Sequence, residues 1–189
     1  MFGRVGFLLY FPAICFSFAL FPNDGHETQR RQNSGENMVN WTSFEMCHTQ
    51  LNPCLENLSP LGDTNGFEGL VVDGRLTVPC ESALREENWN CISSVSHCED
   101  DGLYNVIRNS QMTWDFICQN SPGFVAGEDC WINMDLNTTF FECLGSSNNV
   151  CIPTCILTTV SKIPDCSTED VALLGVLIQI NMPEEQASC

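Results

Sequence analysis

Two pairs of cysteines repeat one spacing. Cys47 and Cys54 stand seven residues apart, and so do Cys91 and Cys98. Seven residues make two turns of an α-helix, so in a helix each pair lies on one stripe. At 1.5 Å of rise per residue the two thiols are about 10 Å apart, beyond disulfide reach. Neither Cys47–Cys54 nor Cys91–Cys98 can then bond, and each pair must tie its helix to a neighbour. The flanking residues support helices at both places. Between Thr42 and Leu58 the apolar and cysteine positions are Phe44, Cys47, Leu51, Cys54, Leu55 and Leu58, which follow helical period. Asn40 or Thr42 can cap the start, and Ser59-Pro60 stops it. A second helix is expected over Cys80 to Cys98, with the stripe Leu84, Cys91, Val95 and Cys98.

Further along, Leu103, Val106, Ile107, Trp114 and Ile117 mark a third helix over Leu103 to Cys118, capped by Asp100 or Asp101 and ended by Ser121-Pro122-Gly123. Leu61 to Pro79 holds four glycines and reads as a loop, with Leu70-Val71-Val72 as a short strand. The stretch from Phe124 to Cys143 has no clear period. Cys151 and Cys155, four apart, share one helix face. The clearest element is the last. Ser167 caps it, Asp170 stands at its third position, and Val171 to Ile180 is almost wholly apolar but too short to span a bilayer. The fold class expected is mainly α: a disulfide-stapled helical domain with long loops.

The compartment follows from the N-terminus. Arg4 precedes an apolar run from Val5 to Leu20 that Pro12 interrupts, and Ser17 and Ala19 are the small residues of a cleavage site. Residues 1–19 are expected to be a signal peptide, residues 20–40 a disordered acidic and polar tail, and residues 41–189 a cysteine-rich helical domain. Cleavage after Ala19 removes Cys15 from a total of 13 cysteines, leaving an even set. In an oxidising compartment such a set pairs. Cys80, Cys118, Cys130, Cys143, Cys151, Cys155, Cys166 and Cys189 complete it, with Cys189 expected to close an internal bond. Zinc ligation would need close pairs, and no Cys-x2-Cys occurs, so no metal or other cofactor is expected. The pairing pattern is open, because twelve cysteines allow about ten thousand connectivities.

Charge excludes some partners. After Ala19 the chain holds 24 acidic and 6 basic residues, a formal −18. Phosphate contacts need Lys and Arg, so neither nucleic acid nor an anionic membrane is expected as a partner. Catalytic signatures are missing as well. The three histidines are His26 in the tail, and His48 and His97, each beside a cysteine expected to be oxidised. Glu99-Asp100-Asp101 lacks the spacing of a calcium loop and reads as a helix-start charge cluster. Sequons for N-linked sugar start at Asn40, Asn57 and Asn137; the second is followed by Pro60, which disfavours its use. Ser34-Gly35-Glu36, in the exposed tail, matches a glycosaminoglycan acceptor, the alternative being a chance Ser-Gly pair.

Cys91-x6-Cys98, the Trp114-Asp115-Phe116-Ile117-Cys118 segment, Cys130 and Cys151-x3-Cys155 together resemble the nematode chondroitin proteoglycan 4 type domain and the related nematode secreted domains of unknown function. The resemblance spans roughly Cys47 to Cys189 and lies in cysteine rhythm and helical filler. It implies an extracellular, non-catalytic helical domain and raises the weight of Ser34, although a heavily substituted core would carry several such sites. The expected function is a secreted, non-catalytic structural or interaction protein, a small chondroitin-type proteoglycan or matrix component, whose partner is an extracellular protein, glycan or lipid. The alternative is a saposin-like lipid-binding domain, and the close cysteine pairs that open a saposin are lacking.

Overall fold

Helix α1 runs from Trp41 to Glu56, and it tolerates Pro53 because the missing N–H falls on its exposed side. The computed structural model describes residues 41–58, 66–134, 138–139, 142–143 and 152–182. The signal segment, the tail with Ser34, Asn40, Ser59-Pro60, Asn137, Cys151 and Cys189 lie outside them. Leu51, Cys54 and Leu58 are the buried side of α1, whereas Leu55 is exposed. Thr42 lies inside the helix and is not its cap.

The loop expected between α1 and α2 contains a tight hairpin. A 3-10 turn, Gly66–Gly69, leads into β1 (Val71–Val72), which pairs antiparallel with β2 (Arg75–Leu76) in the register Val71–Leu76 and Val72–Arg75. The two linking residues, Asp73 at φ 52° and Gly74 at φ 72°, both have positive φ, as a two-residue turn with the twist of the strands requires. The Gly74 N–H donates to Glu128 Oε2 at 2.9 Å and ties the hairpin tip to a later helix.

Helix α2 spans Ser82–Ser94 and is followed by a 3-10 turn, Ser96–Cys98. It is shorter than expected, and of the expected stripe Val95 and Cys98 are buried and Cys91 packs against the core, whereas Leu84 departs from it. Its buried residues are Asn88 and Ile92, while Leu84 is exposed. Cys91 faces α1, to which it is bonded, and the polar Asn88 faces the next helix. Helix α3 (Gly102–Gln119) is the centre of the fold and packs against α1, α2, α4 and α7. Of the two candidate caps, Asp101 serves: its carboxylate accepts from the Leu103 N–H at 2.8 Å. Asp101→Ala should cost about 1 kcal/mol in urea unfolding, the usual value of an N-cap.

Ser121-Pro122-Gly123 ends α3 and also starts a helix, since Pro122 occupies the first turn of α4 (Ser121–Ala126), where its missing N–H has no partner to lose. Helix α5 (Glu128–Asn133) follows at once. These short helices cover residues 124–133 of the stretch without clear period and hold the aromatic core. Trp131 is fully buried between Phe67 and Phe124, with ring centroids 5.8 and 5.4 Å away, and Phe116 meets Phe124 edge-on at 6.0 Å. Both buried indoles are satisfied: Trp114 Nε1 donates to the Pro79 carbonyl at 2.6 Å and Trp131 Nε1 to the Phe124 carbonyl at 2.7 Å.

Helix α6 (Ile152–Val160) and helix α7 (Thr168–Asn181) close the core. Ser167 and Asp170 form a full capping box, as the sequence suggests. The apolar run of α7 is explained by its neighbours α3, α4 and α6, which cover it from several sides. Seven α-helices and one two-stranded hairpin make up the described residues, a mainly α fold stapled by disulfides.

Candidate functional site

Five disulfides form among the described residues. Cys47 bonds Cys98 and Cys54 bonds Cys91, so the two seven-residue pairs face each other as a two-rung ladder. The rungs cross in opposite order, 47 to 98 and 54 to 91, which makes α1 antiparallel to α2 and its following turn. Neither within-stripe bond exists, as helical spacing requires. Cys80–Cys118 ties the segment before α2 to the end of α3. Cys130–Cys166 ties α5 to the residues before α7, and Cys143–Cys155 ties Cys143 to α6.

At the outer end of the ladder the side chains are polar. His97 Nε2 lies 2.8 Å from Gln50 Oε1, and His48 Nε2 lies 3.9 Å from Asp101 Oδ1, the oxygen that also caps α3. Both histidines are placed beside the Cys47–Cys98 disulfide, His97 exposed and His48 half-buried. Of the Glu99-Asp100-Asp101 cluster, Asp101 serves as the helix cap. Among the described residues one trio, Cys47, His97 and Cys98, brings potential metal-ligand atoms within 4.8 Å of one another, and two of the three are sulfurs of the same disulfide.

The second polar arrangement is a seam between α2, α3 and α7. Asp115 accepts from Arg85 Nη1 at 2.8 Å and from Trp89 Nε1 at 2.6 Å. Asn88 Nδ2 donates to Gln111 Oε1 at 2.7 Å with both side chains fully buried. Asn181 Nδ2 donates to Thr113 Oγ1 and to the Leu177 carbonyl, each at 2.9 Å. Each amide contact satisfies one group of a buried side chain, which would cost about 1–3 kcal/mol unpaired, while Asn88 Oδ1, Gln111 Nε2 and Asn181 Oδ1 are buried without a partner. Asn88→Ala should therefore destabilise by about 2 kcal/mol, while Asn88→Leu combined with Gln111→Leu should cost less, since no orphan amide is left. Urea denaturation of the single and double variants checks this.

The sequence signals leave out Asn88, Gln111 and Asn181, and mark Asp115 only as part of the Trp114–Cys118 segment. A signal was available for one of them: Gln111 sits four residues after Ile107 and three before Trp114, in the middle of the apolar stripe of α3. Of the three sequons only Asn57 falls on a described residue. It lies half-buried in the turn after α1, with its N–H bonded to the Pro53 carbonyl at 3.2 Å and the buried Leu58 next to it.

No family model matches the chain, and neither a curated protein nor a solved structure matches it. No helix among the described residues is long and apolar enough to cross a membrane. A framework this rich in disulfides is typical of extracellular proteins.

Proposed function

We propose that the chain is a secreted, non-catalytic structural or interaction module of the extracellular matrix, carrying a chondroitin-type glycan at Ser34. The observation that supports this best is the cross-link pattern. Disulfides join α1 to α2, the start of α2 to α3, and α5 to the start of α7, so neighbouring helices are held at several points along the chain. Such cross-linking suits a module that keeps its shape outside the cell, where chaperones and fresh synthesis do not replace unfolded copies. The strong negative charge points the same way, since it keeps a matrix component soluble and favours basic partners.

The resemblance of the cysteine rhythm to nematode proteoglycan domains supports the glycan assignment. Peptide mass spectrometry of the secreted protein, before and after chondroitinase, tests it. The expected result is a chondroitinase-sensitive mass on the peptide holding Ser34. A bare Ser34 in protein secreted by cells that make chondroitin contradicts the proteoglycan reading and leaves a binding module. Native mass spectrometry that finds an acyl lipid retained by the same material supports the saposin-like alternative instead.

A further inference from the structure

We propose that the outer rung of the helix ladder is a masked site for a soft divalent metal: once a dithiol opens the Cys47–Cys98 bond, the two thiolates and His97 bind Zn2+. The three ligand atoms already lie within 4.8 Å of one another. A tetrahedral zinc bound by two sulfurs and an imidazole needs separations of about 3.4–3.8 Å. Small side-chain torsions suffice, since the sulfurs must part and the ring must approach by an ångström or two. His97 is prepared for the role by Gln50, whose Oε1 lies 2.8 Å from Nε2. That contact orients the imidazole beside the sulfurs, and a second partner that orients a ligand imidazole is the usual companion of a metal site.

The surroundings favour a cation. Glu99 and Asp100 are exposed immediately after Cys98, and the Asp101 carboxylate stands at the start of α3. Cys54–Cys91, two helical turns inward, keeps α1 and α2 together with Cys54 fully buried. The chemistry balances with the dithiol as two-electron reductant. Its thiolate attacks one sulfur of the disulfide to form a mixed disulfide and expel the other as a thiolate, and its second thiol then closes a ring and releases the remaining protein thiol. Zn2+ displaces the protons of both thiols, and a water fills the fourth position.

The test uses the full secreted protein under limited dithiothreitol, followed by desalting without oxygen. Mass mapping with differential alkylation identifies material in which Cys47 and Cys98 are free and Cys54–Cys91 is intact. Co2+ is then titrated as a spectroscopic stand-in for Zn2+. The expected result is about one equivalent of Co2+ with sulfur-to-metal charge transfer and tetrahedral d–d bands, displaced by Zn2+, and at least tenfold weaker binding in His97→Gln. Equal binding by His97→Gln, no binding at all, or the same spectrum from the fully oxidised protein would overturn the proposal. So would freeing of Cys47 and Cys98 only together with loss of the helical circular dichroism.

Discussion

Replacing Cys47, Cys54, Cys91 and Cys98 together by serine should lower stability by about 7 kcal/mol, enough to leave the domain largely unfolded at 37 °C. The size follows from loop closure. Cys47–Cys98 closes a loop of 51 residues, worth about 4 kcal/mol in the chain-entropy account. With that bond in place, Cys54–Cys91 closes a ring of only about 14 residues, worth about 3 kcal/mol more. Each rung removed alone should therefore cost about 3 kcal/mol, because the other keeps the long loop closed. Removing both should cost slightly more than the two single losses combined. Denaturation of the two paired variants and of the quadruple variant checks the pattern. A quadruple variant no less stable than either pair would mean that the rungs do not act on the folded hairpin as described.

The second large effect is expected from one methyl group. A Cβ at Gly127 would overlap the Asp170 carboxylate, at 2.9 Å from Cγ and 3.0 Å from Trp131 Nε1. The φ of Gly127 is −88°, which any residue adopts, so the demand for glycine here is one of space and not of backbone conformation. The crowding groups have little freedom to move. Asp170 is buried and its Oδ2 accepts from the Ser167 N–H at 2.7 Å, which forms half of the capping box of α7. The indole of Trp131 is fully buried and bonded to the Phe124 carbonyl. Gly127→Ala must either break the cap or displace the aromatic core. About 3 kcal/mol of destabilisation is expected, a fall in melting temperature of about 10 °C. Gly175→Ala provides a control, since a Cβ there would meet only Leu157 carbons at ordinary contact distances of 3.7 and 3.8 Å.

The helices of this chain were legible because their signals are local. The cysteine spacing, the Asp101 cap and the Ser167/Asp170 box each involve residues a few positions apart, and each is found where the sequence puts it. The partner of each cysteine was not legible. Helical spacing rules out bonds within a stripe, but only packing decides that α1 meets α2 in antiparallel fashion. The exposure of Leu84 has a related cause. Hydrophobicity places Leu84 inward, whereas the seam with α3 buries the polar Asn88 against Gln111, a choice made by two helices jointly. The Asp73-Gly74 turn was visible in principle as an Asp-Gly pair between apolar residues, but strands of two residues are too short to show alternation. Asp115 carries no local mark of its role: its partners Arg85 and Trp89 lie 30 and 26 residues earlier.

A peptide map of the secreted protein, digested without reduction, bears most directly on the stapled helical framework. The expected result is one linked fragment joining Cys47 to Cys98 and another joining Cys54 to Cys91, beside links from Cys80 to Cys118, Cys130 to Cys166 and Cys143 to Cys155. A bond from Cys47 to Cys54, or from Cys91 to Cys98, would contradict it, because two thiols seven residues apart on a helix cannot meet.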